Sequence, residues 1–414
     1  MNKNQNKLAV NGGSPVIKNK LPSRFLYDAK EKNIINKVID ESIKTGIPFR
    51  YAEKYEIAYE KKFISFMGNG YADAVNSGTN ALFSIIGALD IPVGSEIIVP
   101  VLTDVGGVSP LLFWGLKPVI ADISEQSFNV SLKEIIPKIT AKTKAVIVCH
   151  IGGEPADIVP IKRYLKNRNI FLIEDCSQSH GAKIDNKKIG TFGDISFFST
   201  MSSKLHSSGG QGALIYSNKK KYIDIVKSIS DRGKIFKNNK FTGKYNHLGI
   251  NSNLDELSSS IGLIQIQKLP KIIFKTNAIG EKIKKALLDN SEILSVGSQL
   301  KHSKCVYWFV RIRIDIHKIK VSKKQFCKAL MAEGIPMSSE YDYNPFRHNW
   351  YNSKKVKSML KHRKLVLDKN VKPKNYLKML DTDFVIFIRE SFSKKDVNLI
   401  IKSLLKVEEH YLKR

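Results

Sequence analysis

The chain has 414 residues, 42% hydrophobic and 26% charged, enough to bury a large core and to divide into a large and a small domain. Four cysteines, Cys149, Cys176, Cys305 and Cys327, lie far apart with no C-x-x-C pair, which argues against zinc frameworks, any other metal site and a disulfide scaffold, and suits a reducing compartment. The net charge of +30 comes from lysines spread along the whole length, and the densest basic stretch, Lys354–Lys378, has no aromatic interleaving, so neither nucleic-acid binding nor single-strand stacking is expected.

Residues 1–25 read as an arm, with a turn at Gly12-Gly13-Ser14-Pro15. Met1–Val16 carries lysines without an apolar stretch behind them, and no window reaches the roughly 18 apolar residues of a membrane span. A soluble, cytoplasmic protein without stable membrane insertion is the expectation. From about residue 70 short apolar runs alternate with helical stretches: Glu96–Val101, Pro118–Asp122, Lys144–His150, Ile170–Glu174, Asp194–Ser199 and Gly212–Tyr216. Continuous rather than alternating apolar runs indicate strands covered on both faces, hence an α/β domain with a mostly parallel sheet. A long amphipathic stretch, Leu254–Leu269, closes this unit before Pro270. Beyond it, a strand over Val306–Ile314, a helix over Lys323–Glu333 ending at Gly334, a strand over Asp383–Ile388 and a helix over Lys394–Leu412 make a small α+β domain. The expected division is an arm to residue 25, a large domain over 26–272 and a small domain over 273–414.

Ligands of open α/β sheets bind beyond the carboxyl ends of the strands, and three segments place polar groups there. The first, Val75-Asn76-Ser77-Gly78-Thr79-Asn80, opens a helix whose free N–H groups and dipole suit a phosphate; the ordinary alternative is a helix cap. No P-loop pattern occurs anywhere. The second ends a buried strand on Glu174-Asp175 and continues through Gln178 to His180. A carboxylate there needs a cation or donors, for which a pyridinium nitrogen is suited, although Asp175 could instead cap a helix and His180 could be purely structural. The third runs from the strand-ending Ser199 to Lys204, just ahead of Gly209-Gly210. A lysine that forms a Schiff base needs surroundings that lower its pKa.

In this order and spacing the three segments resemble the nucleotide-sugar aminotransferases of the DegT/StrS type, which are fold type I pyridoxal-phosphate enzymes. The resemblance extends from Asn11-Gly12-Gly13-Ser14-Pro15 through Gly249-Ile250-Asn251-Ser252-Asn253 to Ile261-Gly262-Leu263. It implies an aspartate-aminotransferase-like large domain and pyridoxal 5′-phosphate as cofactor. Lys204 would hold it as a Schiff base and shuttle the proton, Asp175 would pair with the ring nitrogen, and Gln178 would sit by the ring. Gly78, Thr79 and Ser199 would hold the phosphate, and Asn251 would reach the phosphate in the neighbouring subunit of a homodimer. Three departures accompany it: Asp104 where the pattern has an aromatic ring after Thr103, Asn253 where it has arginine, and Ser258-Ser259-Ser260 for Gln-Ala-Ala. Lysine rather than histidine at position 204 argues against the dehydratases of the same family.

The expected reaction moves an amino group from an amino acid, glutamate in the first instance, to the keto group of a nucleotide-linked sugar or a cyclitol. Its setting would be surface-polysaccharide or amino-sugar synthesis. The rival reading is a basic protein that binds polyanions or an acidic membrane surface on an idle aminotransferase scaffold. A glycosyltransferase motif at Asp381-Thr382-Asp383 is weaker still, because it precedes its strand.

Overall fold

In the computed structural model, which describes residues 7–24, 26–237, 240–297, 300–362 and 372–413, the six expected strands and one that was not expected, Tyr71–Val75, form one seven-stranded sheet. They are β1 (Tyr71–Val75), β2 (Glu96–Pro100), β3 (Lys117–Ala121), β4 (Thr143–Cys149), β5 (Phe171–Asp175), β6 (Ile195–Ser199) and β7 (Ala213–Ser217). Across the sheet the order is β1-β7-β6-β5-β4-β2-β3, and β7 runs antiparallel to both of its neighbours while the rest are parallel. The continuous apolar runs follow from burial on both faces. Ile97, Val99, Ala145, Ile147 and Ile173 pack under α3 (Gly78–Ala88) and α5 (Lys220–Ser230), labelled with α1 (Ala29–Thr45), α2 (Lys54–Met67) and α4 (Ile158–Lys166) in chain order. Ile98, Val146, Val148 and Leu172 pack the other way, against α2, α4 and the next helix.

That next helix corrects the expected stop at Pro270. It is a single helix, α6 (Glu256–Asn290), with Pro270 inside it. Ile266, Leu269 and Ile272 join the core beneath the large sheet, whereas Ile279, Ile283 and Leu287 join a separate core with the C-terminal elements. The division expected at residue 272 therefore falls inside one helix. The C-terminal sheet is antiparallel, with β8 (Leu294–Val296), β9 (Val310–Ile314), β10 (Met337–Ser338) and β11 (Asp383–Ile386) in the order β8-β9-β11-β10. It is covered by α6, α7 (Lys323–Ala332) and α9 (Lys394–Tyr411), with α8 (Lys374–Thr382) leading into β11. The strand expected from Val306 begins only at Val310, because Val306 and Trp308 donate their N–H groups to Gly153 and Gly152 in the loop after β4. Asp383 of the supposed glycosyltransferase motif is spent on structure: it is buried and paired with Arg311 at 3.3 Å and Arg313 at 3.0 Å. Of the basic stretch, residues 363–371 lie outside the described residues. Among those described, no helix is long and apolar enough to cross a membrane, and all four cysteines are free and buried.

The arm folds back on the C-terminal core, where Leu8 and Ile17 are buried. Its anchor is Glu333, fully buried, whose carboxylate accepts the N–H groups of Ala9 and Val16 at 2.9 Å each and pairs with Lys406 at 2.9 Å. Glu333→Ala would leave the Lys406 ammonium and two backbone donors without their acceptor. The expected outcome is a loss of about 3 kcal/mol in denaturant unfolding, with the arm becoming sensitive to protease first. A midpoint unchanged from wild type would contradict this anchoring.

Candidate active site

The carboxyl ends of β1, β2, β4, β5 and β6 and the entry to β7 surround a cavity of about 400 Å³, within the range of small-molecule sites. Gly78, Thr79, Asp175, Gln178, Ser199 and Lys204, six of the seven residues singled out from the sequence, line it together. Asn251 does not. It lies exposed beside Asp231, and its side-chain oxygen accepts from Asn253 at 2.9 Å. His180 is also outside the lining, buried with its ring 5.6 Å from that of His206, and burial holds its pKa well below the ordinary imidazole value.

At one end Ser77 caps α3 by accepting the Asn80 N–H at 3.1 Å, leaving the N–H groups of Gly78 and Thr79 without helical acceptors. A Cβ on Gly78 would come within 3.2 Å of that of Ser199, and one on Gly106 within 2.3 Å of the Thr79 hydroxyl oxygen, so glycine keeps this cradle open. Asp175 ends β5 with Oδ1 accepting the Ser177 N–H at 3.0 Å and Oδ2 at 3.6 Å from the Cys149 thiol, whose pKa burial and Asp175 push up. Behind it, His150 accepts the Ala156 N–H on Nδ1 at 3.0 Å, which places its own proton on Nε2, 3.2 Å from Glu174. Gln178 is locked as well, its oxygen accepting from Gly152 at 2.7 Å and its nitrogen donating to the Tyr341 hydroxyl at 2.8 Å.

Lys204 occupies irregular backbone between β6 and β7. Burial lowers its pKa, while Asp175 and then Asp104 oppose the shift. Among the described residues no carboxylate pairs with its ammonium, which lies 4.5 Å from the centre of the Trp308 ring. The indole N–H donates to Ser203 O at 3.1 Å. From the arm, Arg24 donates to Ser203 O at 3.1 Å, Lys204 O at 2.7 Å and Leu205 O at 3.4 Å, and pairs with Glu390 at 3.1 Å. Arg24, Trp308, Tyr341 and Tyr343 were not legible as site residues, since each comes from a segment remote in sequence and carries no local motif.

The DegT/DnrJ/EryC1/StrS aminotransferase family pattern matches residues 29–384. The chain belongs to that family. Its members include the GDP-perosamine synthase of Escherichia coli O157:H7, 32% identical over 285 residues that cover 68% of this chain and 74% of that protein. The GDP-4-keto-6-deoxy-D-mannose 3-dehydratase of Yersinia pseudotuberculosis is 27% identical over 75% of this chain and 81% of its own. The aminotransferase structure from Psychrobacter cryohalolentis superposes with a TM-score of 0.84 at 20% identity, covering 94% of this chain and 99% of that one. The fold is that of the fold type I pyridoxal-phosphate enzymes, and the chain is a pyridoxal-phosphate-dependent aminotransferase, as the sequence led one to expect.

The Arg24 contacts generate a prediction that does not depend on catalysis. Arg24→Ala should cost roughly 2 kcal/mol, less than a fully buried pair, and speed amide exchange over Ser203–His206 well before global unfolding. Unchanged exchange in that segment would show that the loop is held by other contacts.

Proposed function

We propose that Lys204, Asp175 and the Gly78–Thr79–Ser199 cradle bind and operate pyridoxal 5′-phosphate to aminate a keto group on a sugar, linked to a nucleoside diphosphate, or on a cyclitol. The observation that carries this reading is the convergence, in one cavity, of a lysine with a lowered pKa, a carboxylate at a strand end and an open helix N-terminus. The residues fit the cofactor: the cradle suits a phosphate, and Asp175 retains acceptor capacity for a ring N–H. When bound there, the cofactor supplies an aldehyde for amine exchange and a protonated ring that accepts electrons. Asp175 holds the proton on the ring nitrogen by stabilising its positive charge. Lys204 Nζ would hold the cofactor through its aldehyde, and as a free amine it would be the base that carries the proton away from the donor carbon. Its lowered pKa supports that role, because only the neutral amine attacks a carbonyl. Gln178, clamped by Gly152 and Tyr341, supports the ring.

Two relatives are named for GDP-linked sugars, which supports a nucleotide-linked acceptor, and a synthase rather than a dehydratase agrees with lysine at position 204. Glutamate is the donor we would test first. A homodimer with shared sites is supported by the hairpin Lys234–Lys237 and Lys240–Tyr245, which with the following loop exposes Phe236, Phe241, Tyr245 and Leu248 just ahead of Asn251. Asn251 is exposed and does not line its own cavity, as expected of a residue that completes a partner's phosphate site. Free buried cysteines are compatible with a cytoplasmic setting.

Purified protein should be yellow and lose its visible band on borohydride treatment, and peptide mapping should place the reduced adduct on Lys204. An adduct on another lysine would sink the assignment. Mixing Lys204→Ala with Asn251→Ala subunits should restore part of the activity, since each heterodimer then holds one intact site. Confirmed subunit exchange without recovery would exclude shared sites.

A further inference from the structure

An ammonium group taken partly out of water ordinarily has a carboxylate in contact with it. Lys204 is half-buried and has none within ion-pairing distance among the described residues. Its Nζ stands instead over the face of the Trp308 indole, 4.5 Å from the ring centre, inside the roughly 6 Å over which the negative face of an aromatic ring attracts a cation. The ionisable groups that act on this charge are Asp175, at the end of β5, and Asp104, beyond the end of β2, both outside ion-pairing distance. Cys149, His150, Tyr341 and Tyr343 stand elsewhere on the lining, and the Lys204 charge adds to the lowering of the His180 pKa. Arg24 takes the main-chain carbonyls of the loop and leaves the lysine side chain alone.

Trp308 is itself held from three sides. Its backbone N–H donates to Gly152 O at 2.9 Å, its indole N–H donates to Ser203 O at 3.1 Å, and its ring packs on Phe309 with centroids 5.7 Å apart. Gly152 has a φ of 68°, and a Cβ there would come within 2.6 Å of the Phe309 ring, so glycine is what lets this segment dock so closely. The Gly152 N–H donates to Gln178 at 2.7 Å, which links the residue that supports the ring to the residue that walls the lysine. A single indole therefore meets two consecutive residues, Ser203 through its N–H and Lys204 through its face.

We propose that Trp308 is a positioning residue for the reaction: its indole face holds the side chain of Lys204 whenever that amine is free, and its indole N–H holds the backbone that carries it. A carboxylate in contact would accept a charge-assisted hydrogen bond and oppose loss of the proton. A ring face attracts the cation more weakly, so the amine is kept in place and still gives up its proton. This rests on the reading of Lys204 as the lysine that holds the cofactor, since only then is there a reaction for Trp308 to serve.

The test replaces Trp308 with 5-fluoro-, 5,7-difluoro- and 5,6,7-trifluorotryptophan by site-specific incorporation. Each fluorine draws electron density from the ring face and leaves the size and the N–H nearly unchanged. In the full-length protein, stripped of carbonyl cofactor with hydroxylamine, the pH dependence of Lys204 acetylation by acetic anhydride, followed by peptide mass, reports the proton affinity of the amine. The face favours the charged form, so weakening it lowers the pKa. The midpoint should fall stepwise with fluorine count, by about one pH unit over the series, or about tenfold in uncharged amine at fixed pH. In the cofactor-loaded enzyme the acid limb of kcat should move to lower pH in the same order. Trp308→Phe keeps a ring face and loses the indole N–H, so it should speed amide exchange over Ser203–Leu205; unchanged exchange there overturns the backbone half of the proposal. A midpoint that ignores fluorine content overturns the other half, whatever the activities do. If the midpoint moves as expected but borohydride fixes no cofactor on Lys204, the aromatic wall stands and the cofactor reading fails instead.

Discussion

Lys204 stands on a stretch of backbone that belongs to neither helix nor strand, and carbonyls in such a stretch have no ladder to accept into. Their donors come from far away: the guanidinium of Arg24 on the arm reaches three consecutive carbonyls, and the indole of Trp308 reaches one of them. Arg24 is itself neutralised by Glu390, near the far end of the chain. The position of the Lys204 segment thus ties together the arm, the large sheet and the C-terminal layer. The long helix α6, shared between two cores, gives those parts a common rigid member.

The large sheet was readable because strands buried on both faces must be apolar at every position, and six such runs stand out from Glu96 onwards. The place of the site followed from the sheet, since five parallel strand ends point the same way. Helices α1 and α2 were not read. The first carries Ile35, Val38, Ile39 and Ile43 at helical spacing, although of its residues only Glu31 and Val38 are buried, and the second carries Tyr55, Tyr59, Phe63 and Met67 at four-residue spacing, so both signals were there to use. Pro270 misled because a proline lacks one donor and disfavours helix without forbidding it, and here packing on both sides of α6 outweighs that local cost. The outer wall of the cavity was invisible for a different reason. Trp308 reaches it through hydrogen bonds from its own segment to Gly152 and Gly153, and Tyr341 through Gln178, contacts between residues more than a hundred positions apart.

Electrostatics act on two scales in this molecule. The excess of 30 positive charges draws any anion towards the surface and speeds its arrival, within a Debye length of about 8–10 Å at ordinary salt. Inside the cavity the balance reverses, with two carboxylates facing one lysine. A long-range field of one sign and a short-range one of the other separate the rate of encounter from the choice of what is held.

The docking of the arm also imposes an order of events during synthesis. Leu8 and Ile17 leave the ribosome early, but the core that covers them is built from residues between Ile279 and Val407. Glu333 lacks its cationic partner until Lys406 has emerged, and Arg24 lacks its own until Glu390 has followed the strand β11 out. A nascent chain can complete its large sheet well before that point, yet the loop bearing Lys204 remains uncaged. The loop around Lys204 is caged only once Glu390 has emerged, so a chain that stops ahead of it would be left with an unanchored arm.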